Sequence, residues 1–266
     1  RSLPPFSLPN SSFPNKGPNY YYNNRFVRLN YSDLLLDDRV YLCHNSQNGL
    51  EKYVEWLGGF SNKMIVLRNG FDLEKFVHTA TKTASDEAFN IGVVFRFVEV
   101  KRPFLWLEVA EKVLASTSKK VRFTMVGDGP LLEDSIDRAK TLGIDEYIDF
   151  KGYREDVVEI LSTFDLFLLT SLIEGLPNVL IEAQAMGVPV VSSDAGGASE
   201  TFVHGGSGYL VKNPTAQKLS EAILKIISDE EFQKSASVVA MEHVKNHFSL
   251  QSMHAKLEEI LFGGLM

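Results

Sequence analysis

Glu174-Gly175-Leu176-Pro177-Asn178-Val179-Leu180-Ile181-Glu182 is the stretch on which the reading of this chain turns. Before it, the apolar run Leu166-Phe167-Leu168-Leu169 has the composition of a buried strand and ends in Thr170-Ser171. After it, Val179 to Met186 reads as a helix that stops at Gly187. Pro177 and Asn178 suit the first turn of that helix, where backbone N–H groups have no helical acceptor and the macrodipole is positive. The helix start is therefore a candidate anion site. The helix is apolar nearly all round, so the sequence offers Glu182 no obvious solvent face and predicts a partner for its carboxylate. Glu174 lies eight residues earlier, in the loop. Carboxylates accept hydrogen bonds from sugar hydroxyls, often two at once, so the spacing suits a sugar with a phosphate between the two acids. Spacing alone leaves equally open that Glu174 is a solvated loop charge and that Glu182 is paired internally.

Working outward, strands and helices alternate. Strands are expected at about 91–95, 121–126, 147–151, 165–169, 189–192 and 209–211, with helices at about 103–114, 130–142, 155–161 and 178–186 between them. Such alternation predicts an α/β fold with a parallel, doubly wound, Rossmann-like sheet, whose ligands bind at the carboxyl ends of the strands. Further helices are expected at 219–228 and 230–246. Residues 1–30, rich in Pro, Asn, Ser and Tyr, read as loop. A short helix is expected at 33–38, a strand at 39–43, an amphipathic helix at 47–57, and a strand at 64–68 before the turn Asn69-Gly70. Residues 78–86 form a polar connection.

The chain resembles the group-1 family of retaining GT-B glycosyltransferases. Glu174 and Glu182 have the spacing of that family's E-x7-E motif. Gly187 to Glu200 is similar to its next block, and Ile91-Gly92-Val93-Val94-Phe95-Arg96 with Lys101 to its first strand and Arg/Lys pair. Val126 to Pro130 and Phe150 to Tyr153 are similar to the two loops between. The blocks occur in order across about residues 69–212. The resemblance implies a GT-B protein in which residues 1–70 are a remnant of the N-terminal, acceptor-side domain. Residues 71–247 would be the nucleotide-sugar-binding domain, and 248–266 a helix that packs back toward the N-terminal part. Most of the N-terminal domain would then be missing. The donor implied is a nucleotide diphosphate sugar, UDP-linked by expectation, and the acceptor a glycan or lipid-linked glycan of a bacterial surface polysaccharide. Arg1-Ser2-Leu3-Pro4-Pro5 also looks like a segment of capsular-type enzymes.

The same resemblance distributes the roles. Arg96 and Lys101 would stabilise charge that grows on the leaving diphosphate. Gly175, Leu176, Pro177, Asn178 and Val179 would carry the distal phosphate on backbone N–H groups, Glu182 would accept from the ribose, and Glu174 from the donor sugar. Tyr153 and Arg154 occupy the loop where the family's base stacks, and Gly127 would admit the nucleotide to the backbone. Phe95 stands where the family usually has glycine, so a narrowed loop is expected. No metal and no other cofactor is expected. Alternatives on the same architecture are a sugar-nucleotide epimerase, a phosphorylase-like enzyme, or a non-catalytic sugar-nucleotide sensor; the four charged residues together favour catalysis.

Composition bounds the remainder. At 266 residues and 29.8 kDa the chain can bury one large core or two smaller ones. A net charge of −7 argues against a nucleic-acid partner, which would call for a basic stripe. Asp165 and Glu174 interrupt the longest apolar stretch, so no spanning segment is expected. One cysteine, Cys43, excludes internal disulfides and fits a reducing, cytoplasmic setting, and the family resemblance implies peripheral association at the inner membrane face through the missing domain. The six histidines lack metal-ligand spacing. Ser192-Ser193-Asp194 lacks a nucleophile elbow, and Gly127-Asp128-Gly129-Pro130 lacks the third glycine of a nicotinamide fingerprint. Arg1, with no initiating Met and no signal-like segment, reads as the start of a trimmed chain.

Overall fold

A computed structural model describes residues 25–76 and 88–262. Its first unit comprises α1 (Arg25–Leu35), β1 (Leu42–His44), α2 (Gln47–Leu57) and β2 (Met64–Val66), with β1 and β2 paired in parallel. Ser46 caps α2 by accepting from the Gly49 N–H, and Gly58 ends it in a left-handed turn. Leu35, Tyr53, Leu57 and Met64 form a small core beneath, with the Tyr53 and Trp56 rings edge to face.

The main sheet follows: β3 (Phe89–Val94), α3 (Pro103–Ser116), β4 (Val121–Val126), α4 (Leu132–Leu142), β5 (Ile148–Gly152), α5 (Val157–Leu161), β6 (Leu166–Leu169), α6 (Asn178–Ala185), β7 (Val190–Ser193) and β8 (Gly208–Val211). Strand order is β5-β4-β3-β6-β7-β8, parallel throughout. The central strands are near-continuous apolar runs because helices cover both faces. Leu166 to Leu169 are all buried, as are Ile91, Val93, Phe123 and Met125. α3 packs beside α4 and α7 (Ala216–Ser228), while α6 packs beside α5 and α8 (Glu230–Phe248). Trp106 of α3 fills the core and donates its indole N–H to Leu168 O at 3.2 Å, so its one polar atom is not stranded.

This order reverses direction between β3 and β6, the switch point at which sheets of this kind carry their ligand crevice. The chain crosses between its two units at adjacent points. Phe71 N–H donates to Phe248 O at 2.7 Å and Leu250 N–H donates to Phe71 O at 3.0 Å, so the junction of α8 with α9 (Leu250–Phe262) lies beside the 69–71 crossing.

Two local expectations are corrected. Helix starts at Arg25, inside the stretch read as loop, and ends at Leu35, so 33–38 is its last turn and not a separate helix. The strand expected at 39–43 is displaced to Leu42–His44. The Pro-rich start, Arg1 to Pro5, and the polar connection at 78–86 lie outside the described residues.

Candidate functional site

Residues 99–102 form a tight turn after β3, and residues 170–174 form the loop after β6, the two loops on either side of the crevice. Lys101 lies on the first and Glu174 on the second, and their side chains meet: Lys101 Nζ pairs with Glu174 Oε1. The side chains are 23% and 12% exposed. Glu174 is therefore neither solvated nor isolated. Both loops are held by main-chain contacts, since Leu172 N–H donates to Val100 O at 2.8 Å and Thr170 Oγ1 donates to Lys101 O at 2.9 Å.

Glycines fix the other side of Glu174. Gly196 has φ 56, and a Cβ there would lie 1.9 Å from Glu174 O; Gly197 N–H donates to Gly175 O at 2.9 Å. Only glycine permits that approach in that conformation. The Gly196-Gly197 pair thus seats the backbone of Glu174 and Gly175 from below. Beyond it, Leu176 is buried against Ile181, Val244 and Phe248, and Pro177 precedes α6 without a side-chain cap. Among the described residues, the N–H groups of Gly175, Leu176, Asn178 and Val179 find no protein acceptor. Free N–H donors at the positive end of a helix are the elements of an anion-binding arrangement. Asn178 Oδ1 accepts from Asn69 Nδ2 at 2.8 Å, which ties the start of α6 to the crossing segment.

Glu182 has a partner, as expected, yet is less enclosed than an all-round apolar helix predicts. It is half-buried, on the same side of α6 as half-buried Asn178 four residues earlier, while Leu180, Ile181, Ala183 and Gln184 are buried. The helix therefore has a half-buried side, on which Asn178 and Glu182 both lie.

The remaining expected residues lie on neighbouring loops at the same end of the sheet. Arg96 is exposed and has no ion pair among the described residues. Phe95 does not narrow the loop: its side chain is buried and packs edge to face on Phe97, centroids 5.0 Å apart. Gly127, at φ 131, admits the backbone of the β3 loop, because a Cβ there would sit 1.8 Å from Phe95 O. Its N–H donates to Gly152 O at 2.8 Å, so the β3, β4 and β5 loops abut. Tyr153 is 72% exposed, an uncovered ring at that edge. Arg154 is engaged locally, its Nε and Nη2 donating to the two oxygens of Asp156 at 2.8 and 2.6 Å, which raises its pKa and lowers that of Asp156.

Two residues carry positions that the sequence did not reveal. Glu200 accepts from the N–H groups of Gln47 and Asn48 at 2.8 and 2.9 Å and from Arg68 Nη2 at 3.4 Å, so a carboxylate of the main sheet unit caps α2 of the first unit. Arg102 donates from Nε to Thr170 O at 2.5 Å and from Nη2 to Ser171 O at 3.1 Å. Among the described residues, no group of three or more His, Cys, Asp or Glu is placed to hold a metal ion, and no helix is long and apolar enough to cross a membrane.

Comparison with known proteins gives the family and the fold. The family model described as "Glycosyl transferases group 1" matches residues 74–242. The Vi polysaccharide biosynthesis protein VipC/TviE of Salmonella typhi is 44% identical over 142 residues, 53% of this chain and 24% of that protein. The capsular polysaccharide biosynthesis glycosyltransferase CapM of Staphylococcus aureus is 28% identical over 211 residues, 75% of this chain and 55% of its own. The chain thus spans about a quarter to about half of these relatives' length. Among solved structures, Anabaena Alr3699/HepE in complex with UDP superposes with a TM-score of 0.76 at 24% identity, covering 90% of this chain and 69% of the other, which shows a shared GT-B fold.

Proposed function

The chain belongs to the group 1 glycosyl transferases, and from that premise we propose that it is the donor-binding half of a retaining enzyme that transfers a sugar from a nucleotide diphosphate sugar. The observation that carries this reading is the Lys101–Glu174 pair set beside the unpaired N–H groups at the start of α6, at the switch point of the sheet. The distal phosphate sits on the N–H groups of Gly175 to Val179. Glu182, on the same side of α6, accepts from the ribose hydroxyls, and Glu174 from hydroxyls of the donor sugar. Tyr153 offers its face to the base. Lys101 and Arg96 oppose the charge that grows on the leaving diphosphate, with no metal ion required. Acceptor attack on the same face as the departing diphosphate retains the anomeric configuration, and that diphosphate takes the acceptor proton.

The relatives' names support a role in bacterial surface polysaccharide synthesis, with a glycan or lipid-linked acceptor, and the neighbour holding UDP supports a UDP-sugar donor. In this reading residues 1–70 belong to the acceptor-side domain, 71–247 form the donor domain, and 248–266 return toward the first. The enzyme acts in the cytoplasm, peripherally at the membrane that presents its acceptor. Acceptor positioning supplies much of the rate in a two-substrate reaction, so residues 1–266 alone bind donor and transfer poorly. Calorimetric titration of the chain with UDP, GDP and ADP tests this. Binding of one of them with no efficient glycan formation from its sugar conjugate is expected; no binding of any overturns the proposal.

A further inference from the structure

Arg102 is one of three non-glycine residues with positive φ among those described, the others being Phe60 and Asn213. At φ 52, ψ 58 it sits in the left-handed region, directly before Pro103 at the start of α3. An L side chain is disfavoured there and glycine is not, so something in the fold keeps arginine in place. The contacts that hold it run in both directions between two loops. Outward, the guanidinium donates to Thr170 O and Ser171 O, the main-chain carbonyls just past the end of β6. In return, Thr170 Oγ1 donates to Lys101 O and, at 3.3 Å, to Arg102 O. Ser193 Oγ of β7 also donates to Ser171 O, at 2.5 Å, which anchors the same carbonyl to the sheet.

The planar fork of arginine spans two successive carbonyls; an ammonium group cannot reproduce that geometry. Its partners are neutral, and among the described residues no carboxylate pairs with it. A half-buried, uncompensated positive charge is costly as a purely structural clamp and gains a purpose where a polyanion docks nearby. Burial lowers the Arg102 pKa from its usual value, and arginine remains charged at any working pH.

We propose that Arg102 is a positioning residue of the transfer site: its guanidinium clamps the turn that carries Lys101 to the loop that carries Glu174, so that cation and carboxylate meet the donor as a fixed pair beside a second positive charge. This rests on the donor-binding reading above. A residue acting in this way governs the grip on the distal phosphate and leaves the nucleoside contacts alone.

The test compares diphosphate with monophosphate. The unaltered chain is titrated with UDP, GDP and ADP, and whichever binds is paired with its monophosphate. Arg102→Gly relieves the backbone and deletes the clamp. It is expected to melt within a few degrees of the unaltered chain, to lose about tenfold or more in diphosphate affinity, and to change by less than about twofold toward the monophosphate. Arg102→Lys, which keeps the charge without the fork, is expected to recover less than half of the logarithmic loss. If Arg102→Gly does not fold, Thr170→Val removes only the return bonds and is expected to show the same selective loss. Diphosphate affinity equal to that of the unaltered chain in a folded variant overturns the clamp while leaving the donor reading intact, as does an equal loss toward both nucleotides. Absence of binding by the unaltered chain to all three diphosphates overturns both.

Discussion

Gly196→Ala is the perturbation that most directly tests how the site is seated. Two costs add. Alanine at φ 56 incurs the left-handed penalty, roughly 1–2 kcal/mol of stability. The new Cβ would then lie 1.9 Å from Glu174 O, where ordinary contact begins near 3.4 Å. Relief requires the Glu174 carbonyl to retreat by roughly 1.5 Å, an overpacking cost of about 1–3 kcal/mol more. That retreat carries Gly175 with it and withdraws at least one phosphate-facing N–H. Losing one hydrogen bond to a charged group removes about 1.5–3 kcal/mol of diphosphate binding. Gly205→Ala is the control. Gly205 has φ 76, and a Cβ added there meets no atom within 4 Å, so alanine at that position bears the conformational cost and nothing else. Thermal melts should show Gly196→Ala falling further than Gly205→Ala, and calorimetry with UDP should show weakened binding in the first variant alone. A Gly196→Ala chain that is folded and binds UDP as tightly as the Gly205→Ala chain would refute the claim that Gly196 seats the phosphate loop.

Glu182→Gln should weaken UDP binding by about 1.5–3 kcal/mol with the fold retained, measured by calorimetry and circular dichroism; unchanged affinity removes Glu182 from the ribose site. In a form that carries out transfer, Arg96→Ala and Lys101→Ala should each lower kcat by roughly 10²–10³-fold at saturating donor, with a smaller loss of donor affinity; a raised KM at normal kcat would reduce the pair to a docking role. Burial first, then the neighbouring His247, holds the His243 pKa below its usual value, and burial does the same for His44. The folded state therefore favours neutral imidazole, and this stability, complete above the unfolded-state value of about 6.5, is lost as pH falls toward the folded value. Melting temperature should drop between about pH 7.5 and 5.5, and His243→Phe should flatten part of that slope; an unchanged slope would show that His243 does not contribute.

What the sequence discloses follows the range of the interactions involved. The bounds of β4 and α2 agree with those read from pattern alone, because a short segment rich in Val, Phe and Thr and a helix bracketed by Ser46 and Gly58 are local signals. The strand-turn-helix at 166–185 is legible for the same reason, and with it the position of Glu174. α1 escapes pattern reading because its inward face of Val27, Tyr31 and Leu35 is masked by Phe26, Leu29 and Leu34, apolar residues that are largely exposed. Glu200 and Arg102 are illegible on different grounds. The acceptors of Arg102 lie 68 and 69 residues away, and the donors of Glu200 lie 152 and 153 residues away. Neither leaves a periodic trace. Gly127 has a signal, but it points to a ligand; the structure shows that the nearest claim on its missing side chain is Phe95 O.

The charges at the crevice are unequal in what they can do, and their burial explains why. Lys101 and Glu174 together are neutral, so the pair adds orientation more than net potential. Net positive potential comes from Arg96, Arg102 and the start of α6, the last worth about half an elementary charge. Arg96 is exposed, and water and salt screen it. Arg102 is half-buried against carbonyls, where the same charge acts through a lower effective dielectric. In the proposed reaction, a diphosphate that gains charge as its bond to the sugar breaks would meet a field whose Arg102 and α6 components are fixed in the fold beforehand, together with an exposed Arg96. Preorganised charge costs no reorganisation at the moment of transfer. The fold has placed that charge on two loops that leave adjacent strands at the centre of the sheet, stitched to one another by a side chain whose backbone would suit glycine.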